Sequence, residues 1–220
     1  MENRAQPPDN AGMFPPSRII AIFLGLIGAA IVILLLRLVF DFPPVPPGTA
    51  KPESGSSRTV VGGPFTLVDH TGKTVTERDF AGRFMLVSFG FTYCPDVCPN
   101  TLTLMTETLN RLGDKGDRVV PMLITIDPER DTVEQLKEYV RHFHPRLVAL
   151  TGTVEQVADV ARKYRVYYAK VRPEGSGEQE YLMDHTALIY LMGPDGQFRT
   201  HFPHTTDVDA MTRRLLAAIQ

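Results

Sequence analysis

Cys94 and Cys98 are the only two cysteines among 220 residues. They stand in Phe89-Gly90-Phe91-Thr92-Tyr93-Cys94-Pro95-Asp96-Val97-Cys98-Pro99, where an apolar run gives way to a helical pattern. Two thiols four residues apart in the first turn of a helix share one face, where they can close a disulfide or chelate one soft metal ion. A static structural disulfide is the plainer use, but so short a loop constrains the unfolded chain little.

The elements that must position this pair follow from hydrophobic patterning. Residues 65–68 and 74–75 flank Asp69-His70-Thr71-Gly72 and predict a hairpin, and 84–91 predicts a buried strand. A helix is expected over 99–112, ending at Gly113, and the next buried strand over 119–126. Thr132 with Gln135, and Thr153 with Gln156, resemble capping boxes that open helices running to about Phe143 and to Tyr164. Residues 147–150 and 166–171 predict short strands. Residues 187–192 pair with 197–202 across Gly193-Pro194-Asp195-Gly196, and a last helix covers 206–219. Residues 172–181, rich in Gly and Glu, read as a mobile excursion. Strands alternating with helices and closing in a hairpin plus helix predict a three-layer α/β sandwich. A dithiol at the end of its first core strand makes that sandwich thioredoxin-like.

Two chemistries are open to the pair. In the first, the helix N-terminus stabilises a thiolate at Cys94 and the sulfurs cycle between dithiol and disulfide. Thioredoxins, however, separate their cysteines by two residues, whereas Pro95-Asp96-Val97 lies between these. They also carry a cis-proline before the strand facing the dithiol, where this chain reads Met183-Asp184-His185-Thr186. Two thiolates and the His185 imidazole would make a soft three-coordinate set suited to copper, Cu(I) in particular. Asp184 is a candidate for orienting that imidazole. Asp127, Glu129, Arg130 and Asp131 form a loop that either docks a partner or caps the helix after Thr132. His70, His142, His144, His201 and His204 are scattered and read as solvated, and Phe89, Phe91 and Tyr93 as strand core.

Apolar residues make up 43% and charged residues 22%, with a net charge of −2, the composition of an ordinary globular protein and not of a nucleic-acid surface. The exception is 19–40, broken only by Arg37, which as a helix reaches about 33 Å and is long enough for a transmembrane anchor. A cleavable signal peptide would have a shorter apolar core and an Ala-x-Ala-like site. The expected organisation is therefore a tail over 1–18, an anchor over 19–40, a Pro/Gly/Ser linker over 41–57 and one folded domain over 58–220. No Gly-rich phosphate loop follows a strand.

Four stretches carry a resemblance: Phe91 through Pro99; Asp127-Pro128-Glu129-Arg130-Asp131-Thr132; Leu150-Thr151-Gly152-Thr153 with Tyr164-Arg165-Val166-Tyr167-Tyr168; and Asp184-His185-Thr186. In this order they resemble the Sco/SenC copper proteins needed to assemble the copper site of cytochrome c oxidase subunit II. The resemblance implies that Cys94, Cys98 and His185 are copper ligands and that the two cysteines are also a redox-active pair. It implies subunit II and a copper donor as partners. It also implies an inner-membrane anchor with the domain in the bacterial periplasm or the mitochondrial intermembrane space. The expected role is a metallochaperone acting by ligand exchange, carrying Cu(I) or, with an added ligand, Cu(II). Zinc is chemically allowed at such a site. The enzymatic alternatives are a disulfide reductase, whose turnover would survive loss of His185, and a peroxidase of the peroxiredoxin kind.

Overall fold

The computed structural model describes residues 26–33, 35–36, 60–172, 175, 177 and 180–219. The chain divides into two units, residues 1–56 and 57–220. In the first, the described residues form a helix, α1 (26–33 and 35–36), whose Leu, Ile and Val side chains are exposed. Most of the expected anchor over 19–40 lies outside the described residues, as do the tail over 1–18 and the linker over 41–57. Among the described residues no helix is long and apolar enough to cross a membrane.

The second unit is organised about β3 (Phe84–Gly90), every residue of which is buried. It pairs in parallel with the equally buried β4 (Val119–Thr125) and antiparallel with β8 (Leu188–Met192). Strands covered on both faces need apolar side chains on both, which is why β3 and β4 read as unbroken apolar runs. β5 (Val148–Thr151) lies parallel to β4 on its far side. Beyond it come β1 (Thr66–Asp69) and β2 (Thr74–Thr76), and β9 (Phe198–Pro203) closes the other edge, giving the order β2-β1-β5-β4-β3-β8-β9.

Alternation along β3 divides the core in two. On one face Phe84 and Leu86 join Leu102 and Met105 of α2 (Val97–Leu112), Leu136 of α3 (Val133–Val140), and Met211 and Leu215 of α5 (Val208–Ala218). On the other, Met85, Val87 and Phe89 join Tyr164 and the Val157, Val160 and Ala161 side chains of α4 (Val154–Lys163). The expected three-layer sandwich results, with each fully buried aliphatic side chain contributing about 1.5–3 kcal/mol.

Local signals set most boundaries. Thr153 Oγ1 accepts the Gln156 N–H at 3.2 Å and Gln156 Oε1 accepts the Thr153 N–H at 2.8 Å, a reciprocal box. Thr132 likewise accepts the Gln135 N–H at 3.2 Å, but the Gln135 amide donates to Thr92 instead of turning back. α3 ends at Val140 rather than Phe143, because the N–H groups of Arg141, His142 and Phe143 bond carbonyls three residues back and tighten the chain out of α-helical register. One element differs in kind. β6 (Tyr168–Val171) is not in the central sheet but pairs antiparallel with β7 (Leu182–His185) in a two-stranded ribbon of its own. Leu-Met-Asp-His is too short to signal a strand, and pairing with β6 makes it one. The connection between them is the excursion expected at 172–181, of which residues 173, 174, 176, 178 and 179 lie outside the described residues.

Candidate metal centre

Because β3 stops at Gly90 and α2 starts at Val97, Cys94 falls in the connecting loop and Cys98 in the first helical turn. Pro99 is tolerated in that turn because its missing N–H would have had no intrahelical partner. Both cysteines are free thiols, Cys98 buried and Cys94 half-buried. The Cys98 N–H, one of the unpaired donors of the helix start, points at Cys94 Sγ at 3.4 Å. The Cys98 thiol also donates to Cys94. Opposed by burial but helped by the Asp96 and Cys98 backbone N–H groups and the His185 imidazole, this bond lowers the Cys94 thiol to about 5. The same bond, with burial, pushes Cys98 up. The shared bond thus favours the anion at Cys94 and keeps the proton on Cys98.

Gly90 makes room for this arrangement. A Cβ there would lie 2.9 Å from Cys98 Sγ and 3.3 Å from Leu123 Cδ1, so any larger residue displaces the sulfur.

His185 ends β7. Its Nε2 is 3.6 Å from Cys98 Sγ, its Nδ1 is 3.1 Å from the Thr186 carbonyl oxygen, and its ring stands edge-on to Phe91. A carbonyl only accepts, so Nδ1 donates to it, and Nε2 is the nitrogen turned toward the sulfur, the one that would ligate a metal. Sulfur and imidazole bonds of about 2.3 and 2.0 Å to one ion, at angles of about 110–120°, put the two donors roughly 3.5–3.7 Å apart, and the observed separation fits. Among the described residues no group of three or more His, Cys, Asp or Glu side chains is placed to hold a metal ion as it stands. The cavity behind Cys98 and His185, about 10 Å³ and walled by Ser88, Thr101 and Leu123, has room for little more than an ion or a water.

The expected contact of Asp184 with the imidazole is not formed. Side chains alternate along a strand, so Asp184 faces away from its neighbour His185 and is exposed, and the Thr186 carbonyl takes the Nδ1 proton instead.

In the loop expected either to dock a partner or to cap the helix, Asp127 and Asp131 are not on the surface, being 1% and 0% exposed. The Asp131 carboxylate accepts the Thr92 N–H at 3.1 Å and the Thr92 and Thr125 hydroxyls at 2.6 Å each, tying the cysteine loop to the end of β4. Thr151 donates to the Asp131 carbonyl at 2.9 Å. Burial pushes the Asp131 carboxyl up against the pull of these donors. Asp127 is held by Arg130 at 2.6 Å and by the Tyr181 hydroxyl at 2.8 Å, and Glu129 is the exposed member, paired with Lys170. Buried carboxylates persist only with such partners.

Sequence reasoning did not single out Gly90, Thr92, Thr125, Thr151 or Tyr181 as site residues. The available signal is a threonine closing each of two apolar strands, Thr125 on β4 and Thr151 on β5. Phe89 and Phe91 are buried, but Tyr93 is half-exposed instead of core. His144 is buried rather than solvated, with Nδ1 accepting the Arg146 N–H at 3.2 Å, while His201 is exposed and stacks on Phe198.

Fold and site together define a thioredoxin-like sandwich whose central strand presents a thiolate–thiol pair to a facing imidazole. The SCO1/SenC family model matches residues 53–220, and the chain belongs to that family. Protein SCO1 homolog 1, mitochondrial, of Arabidopsis thaliana is 42% identical over 171 residues, 77% of this chain and 50% of the relative, so the chain spans about half of that protein's length. SCO2-like protein RP587 of Rickettsia prowazekii is 37% identical over 186 residues, 84% of this chain and 89% of the relative. The crystal structure of Arabidopsis thaliana ScoI with copper bound is 43% identical, with a TM-score of 0.68 over 72% of this chain and 98% of that one.

Proposed function

We propose that this protein carries copper, as Cu(I), on Cys94, Cys98 and His185 and delivers it to the binuclear copper site of cytochrome c oxidase subunit II. The observation that carries the reading is His185 Nε2 standing 3.6 Å from Cys98 Sγ beside the lowered Cys94 thiol. A relative with the same fold and copper bound supports copper as the cargo. Thiolates and imidazole suit a soft ion, and the Cys98 proton leaves as the ion binds. Three ligands leave a position open. An acceptor thiolate enters there, and Cys94, the more exposed ligand, departs first, so that the ion is never free. Oxidation of Cys94 and Cys98 to a disulfide, with two electrons passing to an oxidant, removes both sulfur donors and gates loading by redox state. Cu(II) is held in the same place with an added ligand.

In this proposal residues 19–40 anchor the chain in the inner membrane, 41–57 tether the domain over 58–220, and the domain faces the periplasm or the intermembrane space, where a donor protein loads it. Mitochondrial and Rickettsia relatives support that address.

Thiol–disulfide exchange is the second reading, favoured by the lowered Cys94 thiol and its exposure. Cys94 would attack a partner disulfide and release one thiolate. Cys98 would then resolve the mixed disulfide, leaving the Cys94–Cys98 disulfide and a reduced partner. Anaerobic Cu(I) titration of the reduced protein tests both. One tight equivalent, lost in Cys94→Ser and Cys98→Ser and weakened in His185→Ala, is expected. Absence of tight binding in the wild type overturns the copper reading, and disulfide turnover untouched by His185→Ala assigns a reductase.

A further inference from the structure

The loop over 127–131, buried at Asp127 and Asp131, supplies no ligand in that reading, yet its Arg130 lies between the two segments that do. The Arg130 guanidinium carbon is 3.6 Å from the Tyr181 ring centroid and 4.7 Å from that of Tyr93, with Phe91 at 5.9 Å. Tyr93 immediately precedes Cys94, and Tyr181 immediately precedes β7, which ends in His185. Arg130 Nε donates to Asp127 Oδ2 at 2.6 Å and Nη1 to the Tyr181 carbonyl at 3.0 Å, while the Tyr181 hydroxyl donates to Asp127 Oδ1 at 2.8 Å. Asp127, Arg130 and Tyr181 thus close a ring of bonds, and the Arg130 side chain is 11% exposed.

The cysteine loop is held independently by the Asp131 carboxylate through Thr92. Among the described residues the ribbon has no strand bond to the central sheet, and Tyr181, just before β7, and Met183, within it, are its buried anchors. A buried Arg–carboxylate pair adds little net stability over apolar side chains of the same volume, so what it offers here is geometry. A planar guanidinium can stack between two rings while donating in plane in two directions, which an ammonium cannot do.

Resting on the copper reading above, we propose that Arg130 is a positioning residue. It clamps the Tyr93–Cys94 loop to the Tyr181–His185 segment and so sets the separation of His185 Nε2 from the sulfurs. Without the clamp the sulfurs keep their places and the imidazole swings away from the ion.

The test is a double-mutant cycle on the full-length protein in detergent micelles, reduced and anaerobic, with Cu(I) affinity read against a chromophoric Cu(I) chelator. Arg130→Lys is expected to weaken binding about tenfold or more. In a His185→Ala background the same change is expected to move it less than about twofold, because the ligand it positions is gone. X-ray absorption at copper should show the imidazole contribution reduced in Arg130→Lys and intact in the wild type. Wild-type affinity in Arg130→Lys, or an equal loss in both backgrounds, overturns the clamp. His185→Ala binding as tightly as the wild type overturns the copper reading itself. If Arg130→Lys does not fold, Tyr181→Leu removes the stacking ring and is read through the same cycle with the same outcomes.

Discussion

The two halves of the site are built on opposite principles. The sulfurs sit where β3 meets α2, just beyond a strand buried on both faces and bonded on both sides by β4 and β8. The imidazole ends a two-stranded ribbon whose Val171 and Leu182 are 50% and 46% exposed. The core therefore holds the dithiol rigidly, whereas a thin ribbon and one cluster of polar and aromatic side chains hold the imidazole. Such an arrangement would let His185 move by local opening at far less cost than unfolding the domain, as the proposed copper delivery requires.

The largest expected effect sharpens this contrast at the ligands. Cys98→Ser should weaken Cu(I) binding by more than about 1000-fold, some 4 kcal/mol. His185→Ala should cost about ten- to a hundredfold in the same competition titration, and equal losses would erase the distinction between a fixed pair and an adjustable third ligand. Stability probes the same difference. Leu86→Ala, at a fully buried β3 position, should lower the unfolding free energy by about 2–5 kcal/mol in a denaturant titration, while Leu182→Ala on the ribbon should change it by less than about 0.5 kcal/mol. Comparable costs would mean that the ribbon is as much core as the sheet.

Gly90→Ala asks how tightly the sheet grips the sulfur. With Cys98 Sγ only 2.9 Å from the new methyl group, a loss of about 1–3 kcal/mol is expected. The Cys94 thiol should also rise toward its ordinary value as the bond from Cys98 is broken. An unchanged pH profile for Cys94 alkylation would show that the sulfur has space to retreat.

The smallest effect is the titration itself. Alkylation at Cys94 should follow an ionisation near 5, with Cys98 unreactive at neutral pH. Because folding lowers the Cys94 thiol from an ordinary 9.0, the stability it contributes is complete above pH 9.0 and is lost as the pH falls through about 5. Denaturant titrations of the reduced protein across that range would reveal the slope. Its absence, or a single shared ionisation near the ordinary thiol value, would place the two sulfurs on an equal footing.

These regions also differ in how far they could be read in advance. The dithiol, the buried strand before it and the capping box at Thr153 depend on residues within a strand or a helical turn of one another, and the order of the layers follows from them. The ribbon does not behave this way. His185 lies 87 positions beyond Cys98, and β7 is a strand only because β6 pairs with it. Asp184 reads as a second partner for the imidazole, and only the alternation of β7 turns it away. Asp127 and Asp131 read as surface charges because the groups that satisfy them, Tyr181, Thr92 and Thr125, stand elsewhere in the sequence.

By itself, then, the sequence determined the cysteine pair, its strand-to-helix setting and the layered α/β order, and through family resemblance it pointed to His185 as the imidazole that faces the pair. Tertiary structure alone decided which imidazole nitrogen faces the sulfur, which carboxylates are buried, why Gly90 must lack a side chain and where Arg130 lies. Each of these is a contact between distant segments, and local pattern carries no record of what folding will bring alongside.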